Sequence, residues 1–491
     1  MHGEIKNIIK HGSIYSIGII FSKIISFLMI PVYTNLLVPS EYGILELLTL
    51  TIDVISTIVG ISMTAAVLRF YFKYDEESQR NSAVSTALIG TMTLMGISTL
   101  ACMLSSGFIS NLIFPGKDYV GYFKIMFITM FFAGGIEIPM IYIRAKQQSR
   151  KFVIIDLIRL AIQLGLNILF LAGFHMGVAG ILYSGLITSA IIGTYLLVST
   201  LRKTRLTFNV TIYRQMLVFG APLLVSDISL FMLTFADRFF INYYSDLNSV
   251  GIYSLAYKFG MLIGVLFIGP FLQIWSARQF EIAHQEDGKI IISKVLTYFM
   301  IAALFISFGI SVLSKDILRI VSAKAYWSAY KLVPIISMAY VLNGIIYVVG
   351  VSILFKEKTK FTAISTAIAM AANILFNFLL IPPWGRVGAA YSTLISYFVR
   401  VVLIYYFSQR LFRIDYKWKQ IMQVMVIYLA LLAGSFVLSI HNVLISLLIN
   451  VLLVIIFALA IYSLGILNER EKQLIKSLLR HPLGIKAMFS D

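Results

Sequence analysis

Apolar runs of about twenty residues recur from one end of this chain to the other, and that spacing constrains the fold more than any motif does. A bilayer core of about 30 Å takes ~20 helical residues to cross. Within lipid, every backbone amide and carbonyl must find its partner inside the protein, which favours helices for segments of this length. Of the 491 residues 59% are hydrophobic and only 13% charged, about half the charged fraction of a soluble domain. The chain is therefore predicted to be an all-α integral membrane protein. Its runs lie at 13–38, 43–68, 82–113, 119–143, 152–173, 177–200, 217–242, 250–272, 292–313, 330–354, 361–381, 386–407, 421–439 and 443–466, about fourteen crossings.

The connections between runs carry the orientation. Lys and Arg total 40 against 22 acids, a net charge of +18. In a soluble chain that excess would suggest nucleic acid, but basic loops held in the cytoplasm by the positive-inside rule produce it too. No nucleic-acid partner is expected. Every second connection is basic: Arg69, Lys73 and Arg80; Arg144, Lys146, Arg150 and Lys151; Arg202, Lys203, Arg205 and Arg214; Arg278 and Lys289; Lys356, Lys358 and Lys360; Arg410, Arg413, Lys417 and Lys419. One intervening connection, with Lys315, Arg319 and Lys324, dissents. Both termini are predicted to be cytoplasmic. The first run is long enough to span and reads as a retained helix rather than a cleaved signal. A single cysteine, Cys102, excludes an internal disulfide or a cysteine metal cluster.

Internal similarity divides the chain further. Asn167-Ile-Leu-Phe170 reappears as Asn373-Ile-Leu-Phe376, and Gly180, Tyr183, Ser184, Leu186 and Ile187 match Gly388, Tyr391, Ser392, Leu394 and Ile395 at a constant offset of 208 residues. The same offset pairs Gly43 and Leu47 with Gly251 and Leu255. Two pseudo-symmetric six-helix lobes are expected, 1–208 and 209–415, followed by two appended helices (416–466) and a tail (467–491). Six is even, so both lobes enter the membrane from the same side, a parallel repeat. In the tail, Leu474, Ile475, Leu478 and Leu479 share one face, as in a helix lying on the inner leaflet. No loop is long enough for a soluble domain. Phosphate-loop, zinc-helix and nucleophile-elbow motifs are absent from the sequence, so neither enzymatic chemistry nor a cofactor is expected.

Ionisable side chains deep in the bilayer cost at least ~2.5 to 3.5 kcal/mol and so point to function. At ~1.5 Å per residue, Lys23, Asp53 and Asp227 lie about 15 Å into crossings 1, 2 and 7, and Lys258 about 12 Å into crossing 8. These are the first two helices of each lobe, where a polar cavity between lobes would need charge. Lysine–aspartate pairs that only lock helices are the alternative, although such pairs add little net stability. Asp237 and Arg238, a turn from the end of crossing 7, are secondary candidates that would also suit an interfacial pair. Asp156 and Arg159 would pair with each other at i, i+3. Lys124, Arg400, Glu46 and Glu137 are read as interfacial and without a role. Pro31 and Pro222 each remove a backbone hydrogen bond in the leading helix of a lobe, as gating or static kinks.

The stretch Ile30-Pro-Val-Tyr-Thr-Asn-Leu-Leu-Val-Pro-Ser-Glu-Tyr-Gly-Ile-Leu-Glu-Leu48 resembles the opening of bacterial polysaccharide and O-antigen flippases, and Gly388-Ala-Ala-Tyr-Ser-Thr-Leu-Ile-Ser396 is similar to the same family. The resemblance implies membership of the multidrug/oligosaccharidyl-lipid/polysaccharide exporter superfamily, with two lobes, a central cavity and alternating access in the bacterial inner membrane. It implies a substrate too: an oligosaccharide on undecaprenyl diphosphate, with Lys23, and less closely Lys258, matching basic positions of the family. A diphosphate crossing hydrocarbon needs cations, which agrees. Arg238 would be a third. Asp53, Asp227 and Asp237 would balance cavity charge or bind a driving proton or sodium ion. Expected partners are the lipid-linked oligosaccharide, membrane lipids and the polysaccharide assembly machinery. Two other classes remain: a multidrug or cation antiporter, which should favour an acidic, aromatic cavity, and a polysaccharide polymerase or ligase, which should carry a large periplasmic loop.

Overall fold

The computed structural model describes residues 27–438, 440 and 442–465. Among the described residues the protein is helical throughout, and twelve helical segments are long and apolar enough to cross a membrane. Most follow the apolar runs one for one. The first run falls largely outside the described residues, as do Lys23 and the amphipathic tail. Its described end is α1 (Ile30–Leu36), which carries Pro31 in its first turn, where a missing N–H costs no hydrogen bond.

Runs 361–381 and 386–407 form one continuous helical segment, α2 (Lys360–Leu411), which doubles back at Gly385. Gly385 has φ +52° and ψ −133°, a conformation open to glycine and strained for other residues. The reversal brings Ser392 Oγ to the carbonyl of Asn373 at 3.1 Å and stacks Phe361 on Phe407 at 4.5 Å. Each arm is long enough to cross alone, so this segment supplies two crossings. The matching sequence repeat, Ser149–Ile168 and Gly177–Thr204, turns instead through the π-helical residues Leu169–Gly173. There Ser184 bonds Asn167, whose amide donates to Tyr33 Oη at 2.7 Å. Repeated residues thus hold both hairpins closed.

By contact the chain forms two compact units: one of Met1–Tyr257, Val321–Leu332 and Thr362–Arg400, the other of Lys258–Ile320, Val333–Phe361 and Val401–Asp491. Within the first, the aligned glycines meet. A Cβ on Gly43 would strike the carbonyl of Leu247, and one on Gly251 would strike the carbonyl of Pro39. The two helix starts therefore cross backbone to backbone, as small residues permit in membranes. Leu47 and Leu255, their repeat partners, are fully buried.

The second unit packs Phe308, Tyr428 and Phe457 at its centre. Its appended helices, Trp418–Val437 and Val443–Ser463, dock through buried polar groups as well as apolar ones. Ser307 contacts both Ser337 and Tyr428 Oη, and Asn450 donates to the buried Asp316 carboxylate at 2.7 Å. In lipid, where apolar burial gives helices no net drive to associate, such bonds help to fix their docking.

Candidate functional site

The second crossing is the best starting point because it is broken. Pro39–Gly60 (α3) ends at Ile61 and Ser62, two non-glycine residues in the left-handed region at φ +44° and +49°, and Met63–Lys73 (α4) continues beyond them. An interrupted helix leaves backbone carbonyls of its first half and amides of its second half without intrahelical partners. In membrane proteins such interruptions occur where the backbone is buried in protein or lines a water-filled cavity. Here it lines a cavity of about 400 Å³, with Gly60, Ser62, Met63 and Thr64 on its wall.

Helix α5 (Val210–Phe235) packs on the break. Gly220 has no side chain to obstruct the Ile61 carbonyl, and two turns later Asp227 accepts a hydrogen bond from Ser62 Oγ at 2.6 Å. Pro222 lies between them inside the helix. Asp53, from α3, and Glu137, from α6 (Val120–Ala145), complete the acidic wall. All three carboxylates are exposed to the cavity, and among its described lining residues there is no Lys, Arg or His. Neither Asp53 nor Glu137 has a side-chain hydrogen bond or ion pair within the protein among the described residues. Phe231 and Phe235 form an aromatic wall, shared with an adjoining opening of about 380 Å³ that also reaches Asp227 and Thr57.

The predicted secondary candidates take a different form. Asp237 and Arg238 are each 1% exposed and bond each other at 2.7 Å. Arg238 also donates to the Thr234 carbonyl at 2.9 Å, and its guanidinium lies 3.9 Å from the Tyr257 ring centre and 5.1 Å from those of Phe235 and Tyr253. Asp237 accepts from Tyr253 Oη and from Thr393 Oγ1 at 3.1 Å. This is a closed, self-neutralised cluster. Lys258 is half-buried and belongs to the second unit. Asp156 and Arg159 pair at 2.8 Å, as their spacing suggested.

Sequence depth thus brought Asp53 and Asp227 forward, and the structure places them on one cavity. It missed Glu137, which had been given no role, and the break at Ile61–Ser62. The only sequence signal for the break was Gly60-Ile-Ser62 inside an apolar run. A separate cavity of about 360 Å³ lined by Leu112, Phe240, Tyr243, Tyr244 and Phe378 is aromatic and carries no charge.

The described residues thus include twelve segments of membrane-spanning length and a polar cavity at a broken helix. The chain's architecture matches that of the lipid II flippase MurJ in an inward closed conformation, at a TM-score of 0.75 and 16% identity over 91% of this chain and 98% of that one. An inward-facing multidrug resistance MATE family transporter of the MOP superfamily matches at 0.65 and 13% identity, over 79% and 94%. The chain belongs to the polysaccharide biosynthesis protein family, whose model matches residues 8–275. Curated relatives include the probable low-salt glycan biosynthesis flippase Agl15 of Haloferax volcanii, 26% identical over 40% of this chain and 42% of that protein. Another is the capsular polysaccharide biosynthesis protein CapF of Staphylococcus aureus, 25% identical over 42% of this chain and 52% of that protein. In these matches the chain spans about half the length of each relative.

Proposed function

We infer that this protein is a flippase that carries a lipid-linked oligosaccharide, a repeat unit of O-antigen or another surface polysaccharide, across the bacterial inner membrane by alternating access. The observation that carries the reading is the polar cavity opened among crossing helices by the break at Ile61–Ser62, in a chain of the polysaccharide biosynthesis family. A glycan needs a hydrated, hydrogen-bonding path through hydrocarbon, and this cavity has the hydroxyls and carboxylates for one. On this reading the lipid carrier is undecaprenyl diphosphate. Lys23 and Lys258 are proposed to hold the diphosphate, while Arg238 pairs with Asp237. Asp53 and Asp227 are proposed to couple transport to a proton or sodium gradient, with Pro31 and Pro222 as the flexing points.

Restoration of surface polysaccharide in a flippase-deficient strain tests the reading. The wild-type chain should restore it. Lys23→Arg and Lys258→Arg should keep partial function, and the Gln variants should lose it at normal membrane abundance. Full function in both Gln variants removes the diphosphate assignment, and no restoration by the wild-type chain in a strain making its native repeat unit removes the flippase.

One observation favours a second reading. The acidic wall with Phe231 and Phe235 is what an exporter of organic cations would present. Efflux of a fluorescent quaternary ammonium dye, sensitive to Asp227→Asn, would support it. Family membership and the docked appended helices support the flippase.

A further inference from the structure

The cavity's charge asks for a ligand that a neutral sugar does not supply. We propose that this cavity recognises the protonated amine of an amino sugar, with Glu137 as its ammonium partner, so that the oligosaccharide carried contains a residue bearing a free amine. The proposal rests on the flippase reading and narrows its substrate class.

Four observations converge. Asp53 and Glu137 face the cavity with no donor of their own among the described residues, and no basic side chain shares the described wall. Unpaired carboxylates in a site ringed by hydrocarbon are costly, and a cationic ligand group offsets that cost. The space is too large for a bare ion: about 400 Å³ is more than ten times the ~30 Å³ share of a liquid water and falls in the usual range for small-molecule sites. Consistent with this, no group of three His, Cys, Asp or Glu side chains among the described residues closes tightly enough to hold a metal. Phe231 and Phe235 offer a flat apolar wall for a sugar ring face or a cation–π contact.

Thr91 decides between an amino sugar and a simple organic cation. It lines the cavity at only 6% exposed, and its hydroxyl has no hydrogen-bond partner among the described residues. Buried hydroxyls are almost always satisfied. A quaternary ammonium ion, which has no N–H to donate, would leave Thr91 unsatisfied, whereas a sugar hydroxyl would complete it. Ser56 and Thr57 on the same wall add further hydroxyls for a polyhydroxylated ligand.

The test uses the full chain in lipid nanodiscs, titrated calorimetrically with three probes: the β-1,4 disaccharide of glucosamine, its di-N-acetyl form and tetraethylammonium. The diglucosamine should bind at least about tenfold more tightly than the acetylated sugar, the range expected for a charged hydrogen bond. Glu137→Gln should abolish that preference without changing the weak binding of the acetylated sugar, and Glu137→Asp, as a control for folding, should keep part of it. Thr91→Val should weaken diglucosamine and leave tetraethylammonium unchanged. Equal affinity for the two sugars, or a preference that survives Glu137→Gln, overturns the proposal. Tetraethylammonium binding as tightly as diglucosamine assigns the cavity to organic cations instead and overturns it too. A chain that prefers diglucosamine yet fails to restore surface polysaccharide keeps the amine site and loses the flippase, so the two failures are distinguishable.

Discussion

Two groups of acids sit among the membrane-crossing helices of the first unit, and they are opposites. Asp237 is sealed: 1% exposed, bonded to Arg238, Tyr253 and Thr393, its charge cancelled by a guanidinium that is itself packed against aromatic rings. Asp53, Glu137 and Asp227 are open, share one cavity, and have among the described residues a single side-chain bond, from Ser62. Position along the helix does not separate the groups, since Asp227 and Asp237 are successive acids ten residues apart on adjoining helices. What separates them is whether a cation among the described residues is bonded to the carboxylate. A membrane acid that the fold neutralises is part of the scaffold, and one that the fold leaves open is available to a ligand.

The largest effect should come from unbalancing the sealed group. Arg238→Met leaves Asp237 buried without its cation, and breaking a buried pair costs about 3 to 5 kcal/mol. Membrane abundance and the midpoint of thermal unfolding in detergent should both fall, and the double variant Asp237→Asn with Arg238→Met should recover most of the loss. Asp53→Asn and Glu137→Gln should change stability by under about 1 kcal/mol, because no side-chain bond among the described residues is lost. A collapse of the Glu137→Gln variant would erase the contrast.

Somewhat smaller is the cost of separating the two helix starts. Gly43→Ala and Gly251→Ala each push a methyl into a facing carbonyl, an overpacking cost of about 1 to 3 kcal/mol. Gly107→Ala, where no heavy atom lies within 4 Å, is the matched control and should shift the unfolding midpoint little.

How far the sequence could anticipate this follows from the same physics. Crossings were legible because hydrophobic length is a property of a local window, and the hairpin at Gly385 hid only in that two runs join as one helical segment. The pairing of Gly43 with Gly251 was visible as a repeat, though the meaning of the repeat, a backbone crossing, needed coordinates. Asp53 and Asp227 were found by depth alone. Glu137 was passed over because depth is a one-dimensional measure, and what singles Glu137 out is a cavity whose other lining residues come from three other crossings. The broken helix was missed for a related reason: Ile61 and Ser62 carry no glycine signature for their left-handed backbone, and tertiary packing against Gly220 accompanies the turn.

The smallest effect, on neither stability nor transport, is in the labelling that fixes orientation. In a Cys102→Ala background, single cysteines at Asn248 and Asn442 should react with an impermeant maleimide added to intact cells, and cysteines at Gln79 and Arg410 should react only after lysis. All four positions are exposed. Reversal at any of them contradicts the cytoplasmic placement of the termini.

The contrast between the two acid groups is tested most directly by thiol reaction rates in the same Cys102→Ala background. A cysteine at Ser56, on the cavity wall, leaves all three carboxylates in place. Relative to a free thiol, it should react at least about tenfold faster with a cationic methanethiosulfonate than with an anionic one, because an uncompensated acidic cleft concentrates cations. Glu137→Gln should reduce that ratio, and a cysteine at Thr393, in the sealed cluster, should react with neither reagent. A Ser56 cysteine that shows no charge preference, or a Thr393 cysteine that labels as quickly, would contradict the account.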